Sequence, residues 1–325
     1  MRDYLPVCML LLFALESGCG SMKPGEPPDI VHEWAPSGGK IVTFSPSGKL
    51  LASGSRAGAV VVWRMPDGAV SARLQAHDGT VNGIAFVQGD TRLLTAGYDG
   101  SIALWRVNGR LLRRIDTPSP VFHMVADQAL DRVVTAHGDG VVRIWRLADL
   151  TLLYEQPLHR GTVKAVALSP VERRYASSGR DGAVFVWREG EAPRALSPPP
   201  TDAWTLVFSP DGGRLFGGGW FRVFRWNLTE GTLDVVSTAH HGIIRSLKFT
   251  PDGQALASIS RETDSSVYLL DPQTGKVLRR FERHELCGAD VAVAPDGRFL
   301  ATTSDDASVR IWDLKPNATR ERPLP

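Results

Sequence analysis

APDGRFLATTSDDASVRIWD, residues 294–313, holds in one stretch the unit from which the rest of the chain can be read. Pro295 presets one turn dihedral and Gly297 supplies a permissive one, so the stretch opens on a tight turn. Leu300–Thr303 is a short run of the kind that forms a strand. A second tight turn follows around Asp306, and a third strand carries Trp312. Working outward, the same turn recurs at Ser45–Gly48, Ser209–Gly212 and Thr250–Gly253, each after an apolar alternation such as Ile41–Phe44 or Leu247–Phe249. Asp99-Gly100 and Asp181-Gly182 sit where the hairpin turn belongs, and Asp-Gly is a strong hairpin signal. A more polar fourth strand, such as Val70–Leu74, leads into the next unit.

The tryptophans give the count. Trp63, Trp105, Trp145, Trp187, Trp226 and Trp312 are separated by 42, 40, 42, 39 and 86 residues. The last gap is two periods, with Leu270 in the missing tryptophan's place, 44 residues after Trp226 and 42 before Trp312. Seven units are present. A period of about 40–45 residues is that of four-stranded propeller blades, and no stretch shows helical periodicity. The sequence therefore predicts an all-β, seven-bladed β-propeller of four-stranded antiparallel blades over residues 29–315.

These units resemble WD repeats, and the resemblance covers roughly Ile30 to Leu314. Only Trp312-Asp313 keeps the Trp-Asp pair that names the family. Trp63, Trp105, Trp145 and Trp187 are followed by arginine, and Trp226 by asparagine. The last unit lacks an apolar fourth strand, whereas Asp29–Trp34 is a surplus strand before the first. That strand is expected to complete the seventh blade beside Trp312, since an open sheet edge is a hazard.

Three units repeat one polar set: His77, Thr95, Asp99 and Trp105; His159, Ser177, Asp181 and Trp187; His284, Thr302, Asp306 and Trp312. Histidine, hydroxyl and carboxylate together suggest a nucleophile, base and orienter. Three copies, one per blade, speak instead for a structural network, and the resemblance implies such a network ending at the indole N–H. No catalytic residue is assigned. Unit three keeps Thr135, Asp139 and Trp145 with no histidine in the loop place. Unit one has Ala57 and unit five Trp220 where the aspartate belongs, so blades one and five should be looser. Unit six has Asp264 with Leu270 for tryptophan, and one of His240 and His241 fills the loop histidine position.

The resemblance also implies a binding face, formed by the loops entering the first strands and the hairpin turns between second and third strands. Lys40, Asn82, Phe122, Lys164, Trp204 and Arg245 come to it from the first strands. Arg56, Tyr98, Arg180, Trp220 and Asp305 come from the turns. Aromatic residues and arginines are enriched at interface hot spots. Trp204 and Trp220 of blade five, with Arg180, Lys164, Arg245, Arg56 and Tyr98, suit an acidic, partly apolar peptide. They equally read as half-buried packing in a blade without its polar network.

A net charge of +2, with arginines spread along the chain, argues against nucleic acid. Adjacent His240-His241 and the His284/Cys287 pair lack the convergent ligands of a metal site. Gly217-Gly218-Gly219 lacks the following helix of a phosphate loop. No cofactor or metal is expected, and the chain reads as a monomer. At the N-terminus, Val7–Leu15 is too short to span a membrane and fits a secretory signal. The small residues around Cys19 resemble the lipobox of bacterial lipoproteins, although Glu16 stands where that family has a leucine-like residue. Residues 1–18 then form the signal peptide, Cys19 the lipidation site, 19–28 a tether and 316–325 a disordered tail. The expected location is the cell envelope, with a cytoplasmic protein the alternative. The expected function is a non-enzymatic protein-interaction scaffold. Its rivals are a hydrolase or lyase with a site in the central channel and a binder of cell-wall glycan or peptide.

Overall fold

The computed structural model describes residues 25–34 and 37–315; Cys19, the signal-like stretch and the C-terminal tail lie outside them. Among the described residues every regular element is a strand, and the strands form seven four-stranded antiparallel sheets. Six follow chain order, at 39–75, 81–116, 121–157, 163–195, 205–237 and 243–281. The seventh is composite. Gly288–Val293, Phe299–Ser304 and Ser308–Asp313 supply its first three strands, and Ile30–Glu33 adds the outer one. Its register runs from Ile30 opposite Ile311 to Glu33 opposite Ser308. Main-chain bonds from Asp29 to Ile311 (2.8 Å) and from Trp34 to Ala307 (3.3 Å) extend the pairing to the expected span, 29–34.

Burial explains the strand patterns. The third strands are packed between neighbouring blades on both faces, so Val60–Trp63 is fully covered, whereas the outer strand Val70–Gln75 is mostly exposed. Apolar clusters bridge adjacent blades. Val60 and Val62 of blade one, for example, meet Leu93 and Trp105 of blade two. Each fully buried leucine or valine contributes about 1.5–3 kcal/mol, so the core consists of seven blade interfaces.

The N-terminal segment ties three blades together. The residues just before the closing strand, expected as a free tether, are docked at their end. Glu26 makes a parallel bridge to Phe281 of blade six, and its carboxylate grips Arg279 at 2.6 Å. Its carbonyl accepts from the Trp312 indole of blade seven at 2.9 Å. His32 then stacks on Trp63 of blade one at 5.4 Å, and Trp34 meets the same ring edge-on. Pro27 and Pro28 do not prevent this, because only isolated backbone groups are used.

Six of the seven first strands carry a β-bulge near their start. The extra, unpaired residues are Lys40, Asn82, Phe122, Lys164, Arg245 and Ala289. A bulge leaves one residue out of the ladder and re-aims its side chain. In blade five Trp204 stands at the same place, just ahead of Thr205–Phe208.

Deleting Glu26–Glu33 should lower the thermal midpoint and produce oligomers on size exclusion, because the Ser308–Asp313 edge is left open. Val31→Asp, at an exposed site of the same strand, should change stability by no more than about 0.5 kcal/mol. Ile30→Asp, facing the blade seven–blade one cluster, should cost at least about 2 kcal/mol.

Candidate functional site

The expected polar sets form, but the blades complete them differently. In blade two the chain is whole. His77 Nδ1 donates to Asp99 at 3.0 Å, Nε2 accepts from Thr95 at 2.9 Å, and the Trp105 indole donates to Thr95 at 3.0 Å. In blade four His159 joins Asp181 (3.0 Å) and Ser177 (2.8 Å), but the Trp187 indole nitrogen is buried without a partner. In blade seven His284 joins Asp306 (2.9 Å) and Thr302 (2.7 Å), while Trp312 is claimed by Glu26. Ending the network at the indole is therefore right for blade two and corrected for blades four and seven.

Blade three does have a histidine, in a place the loop alignment did not examine. His137 Nε2 accepts from Thr135 at 2.8 Å, Nδ1 donates to the Ser119 carbonyl at 3.1 Å, and Trp145 donates to Thr135 at 2.8 Å. His137 occupies the position that is Gly97 in blade two and Gly179 in blade four. A Cβ at those glycines would lie 2.5 and 2.2 Å from the rings of His77 and His159. One imidazole fills the space, arriving from the loop in blades two and four, where the strand has glycine, and from the strand in blade three. Asp139, without its histidine, pairs with Arg143 at 2.8 Å. In blade six His240 bonds Ser258 at 2.8 Å and approaches Asp264 at 3.6 Å, so it is the loop histidine. Blade one leaves the Ser53 hydroxyl buried and unpaired. In blade five the Trp226 indole donates to the Ser197 carbonyl at 2.8 Å.

Burial pushes His77, His159 and His284 below the ordinary imidazole range, against the pull of their aspartates. It takes His137 down to about 4. Burial works against the Asp181 carboxylate as well, yet the Arg160 amide and the His159 ring hold it below the usual range. Neutral rings that donate through Nδ1 and accept through Nε2 are mortar, and each network is enclosed within one blade.

The two sets of loops lie against each other. Main-chain bonds run from Arg56 to Gly38, Tyr98 to Thr80, Arg180 to Thr162 and Asp305 to Cys287, one blade after another. The first strands of all seven blades enclose a cavity of about 560 Å³, lined among others by Lys40, Asn82, Phe122, Trp204, Arg245 and Ala289. Polar side chains there join neighbouring blades. Asn82 donates to the Val121 carbonyl (2.8 Å), the Val166 amide to His123 (3.2 Å) and the Val42 amide to Asp290 (3.0 Å).

The proposed binding residues are only partly brought together. Lys164 sits over the Trp204 ring, 4.0 Å from its centroid, and the Arg245 guanidinium stands 5.9 Å away. Lys164 is also paired with Asp202, and Arg56 with Asp305 at 2.6 Å. These two are therefore not free rim cations. Arg180 is exposed. Tyr98 is 52% exposed and leans edge-on against Phe122 at 5.5 Å. Trp204 and Trp220 are both half-buried; among the described residues Trp220 makes its ring contact with Phe221, at 5.5 Å, and not with Trp204.

Phe221 is the residue the sequence reading missed. It is 44% exposed and has a φ of 61°. Its carbonyl accepts from Thr238, as those of Gly58, Gly100 and Gly140 accept from Ala76, Thr117 and His159. It thus stands in the left-handed turn position that those blades give to glycine, with φ of 85°, 75° and 84°. A bulky side chain there is a backbone outlier, costing about 1–2 kcal/mol relative to a relaxed conformation. The signal was present in Gly-Trp-Phe, aligned with Tyr98-Asp99-Gly100.

A family profile described as "WD domain, G-beta repeat" matches residues 40–64, 68–106, 150–188, 232–271 and 275–313. The unmatched stretches hold the first three strands of blades three and five, where His137 and Phe221 depart from the pattern. Among curated proteins, the nuclear distribution protein PAC1 of Arthroderma benhamiae is 29% identical over 170 residues, covering 48% of this chain and 36% of that protein. Human striatin-4 is 22% identical over 275 residues, 74% of this chain and 36% of its own length. Protein hir1 of Schizosaccharomyces pombe is 26% identical over 195 residues, 56% of this chain and 18% of its own. These matches span roughly a third or less of each relative.

Two outcomes test the networks. Asp181→Ala should cost about 1–3 kcal/mol, since it leaves the His159 Nδ1–H and the Arg160 amide without their acceptor. Because the folded pKa of His137 is about 4 and the unfolded value about 6.5, the unfolded chain takes up protons first as the pH falls. Stability should hold above about pH 7 and decline from pH 6.5 towards 4, by up to about 1.4 kcal/mol per unit for this ring. Thermal unfolding of His137→Gln should show a shallower slope across that window.

Proposed function

The chain belongs to the WD-repeat family, and from that premise we propose that it is a non-enzymatic scaffold that binds an acidic, partly apolar protein segment on the loop face at blade five. The observation that carries the reading is Phe221. An exposed phenylalanine held in a glycine conformation is strained, and such strain concentrates at functional sites. Trp220 lies edge-on to it, and Arg180 offers an exposed cation on the neighbouring blade. Aromatic anchors with an arginine at hand suit a segment that carries both apolar and acidic side chains. A hydrolase or lyase reading would need converging acid, base or metal groups, whereas the histidines of the networks are enclosed within single blades and neutral. Glycan binding would draw on the same aromatic rings, and the capture experiment separates the two.

For location, we propose an envelope protein held at a membrane by lipid on Cys19. The support is the apolar stretch Val7–Leu15 followed by small residues at the cysteine. More than one acyl chain is needed for stable anchoring. With Glu26 docked on blade six, only the residues between Cys19 and Gly25 would span the gap, at most about 3.5 Å each. The propeller would therefore ride close to the bilayer.

Phe221→Gly should leave the thermal midpoint unchanged or raise it, since glycine accepts the left-handed turn. In-cell crosslinking from Tyr98 or Arg180 should lose its captured protein in that variant and in Trp220→Ala. Undiminished capture, or capture of glycan alone, overturns the scaffold reading. Cys19→Ser should move the protein from the membrane fraction to the soluble one, and unchanged fractionation sinks the anchor.

A further inference from the structure

We infer that the channel mouth between blades six, seven and one is an anion-binding site, in which Lys40 and Arg245, backed by Arg261, receive one carboxylate or phosphate group. Lys40 and Arg245 are both bulged residues, and both line the cavity. The mouth holds four cations, Lys40, Arg56, Arg245 and Arg261, against two carboxylates, Asp290 and Asp305. With Lys40 protonated, the difference among these six groups, four minus two, is an excess of two positive charges.

Neither carboxylate is at liberty to neutralise that excess. Asp305 is engaged by Arg56 through Nε at 2.9 Å and Nη2 at 2.6 Å. Asp290 accepts from the Val42 amide at 3.0 Å and the Ser246 hydroxyl at 2.6 Å. On the cationic side, among the described residues the hydrogen bond of Arg245 is to the Trp204 carbonyl, at 3.3 Å. The Arg261 Nε is buried with no partner among the described residues. Among the described residues, no hydrogen bond or ion pair engages the Lys40 ammonium. Donors are thus left over in a walled space where water screens poorly, and charges of one sign focus a field there.

The cost shows in the groups themselves. Lys40 is held well below the ordinary amine range, first by the charge of Arg245 and then by burial, Arg56 and Arg261. Arg245 is itself drawn down to about 10, first by burial and then by Arg261. His123, across the cavity, adds no charge. Burial followed by Lys248, Arg245 and Lys40 takes it to about 3, and its Nδ1 accepts from the Val166 amide. Ring closure does not require this arrangement, since blades two, three and seven place Asn82, Phe122 and Ala289 at the same bulge. Like charges gathered in a cavity are costly without a counter-ion, and an oxyanion with several acceptor atoms would satisfy Lys40, Arg245 and Arg261 together. The site adjoins Trp204 but does not depend on a protein partner.

The test is calorimetric titration and thermal unfolding of the full chain in low-salt buffer at pH 7, with inorganic phosphate as the tetrahedral probe and malonate as the planar one. At least one should bind saturably and raise the midpoint; which one does so tells a phosphoryl from a carboxylate ligand. Lys40→Met should weaken that binding at least tenfold, and its midpoint without anion should equal or exceed the parent's because repulsion is relieved. Arg245→Met provides a second reading if Lys40→Met does not fold. Lys276→Met, at an exposed lysine, should bind as the parent does, as should Phe221→Gly. Binding that is not saturable, or that survives unchanged in both Lys40→Met and Arg245→Met, overturns the inference. Loss of protein capture in Phe221→Gly with phosphate binding intact leaves the two readings separately decided.

Discussion

A blade cannot stand alone, because each sheet is apolar on both faces and must be covered by a neighbour on each side. Seven such sheets satisfy one another only when the last meets the first, so everything in this protein depends on closing the ring. Closure is made by pairing Ile30–Glu33 with Ser308–Asp313, and the segment does more than pair. Glu26 fastens it to blade six and to the Trp312 indole, and His32 and Trp34 clasp Trp63 of blade one. Contacts far apart in sequence therefore converge on a few residues, and these add to the local interactions within each blade.

Within the closed ring the blades solve one recurring problem by different means. Six of them bury a hydroxyl on the second strand, where an unpaired polar group is costly, and blade one leaves its Ser53 unpaired. A loop histidine satisfies the hydroxyl in blades two, four, six and seven, and a strand histidine does so in blade three. Blade five removes the need by placing Gly217, opposite Leu206 and Phe224, in the hydroxyl's position. The space for an imidazole is the conserved physical quantity among these blades, and the residue that enters it is not. Freed of the network aspartate, blade five carries Trp220 and Phe221 at its turn.

The same first strands that pack the ring also expose function, through their bulges. A regular ladder would turn alternate residues into the blade interfaces. The extra residue instead faces the channel mouth, where the ring tolerates lysine, asparagine, phenylalanine, arginine or alanine. Charge can therefore vary at this ring of positions without disturbing the core behind it. In this chain three of these residues are cations: Lys164 is paired with Asp202, and Lys40 and Arg245 line the cavity together.

Local rules in the sequence were enough for the blade count, the turns and the polar sets, because each depends on residues within one period of about 40. The composite seventh blade followed from counting a strand too few at one end and one too many at the other. Tight turns announce themselves through proline and glycine, and strand order follows chain order. What needed the tertiary structure was every question of who reaches a shared space first. Glu26 reads as part of a tether because its partners, Arg279, Phe281 and Trp312, are about 250 residues or more away. His137 went unseen because an alignment of loops cannot show that a strand side chain fills the same cavity. Arg56 and Lys164 read as free cations until Asp305 and Asp202 were placed beside them. Spacing along a chain fixes backbone periodicity, but hydrogen-bond partners and net charge within a cavity are set by proximity in three dimensions.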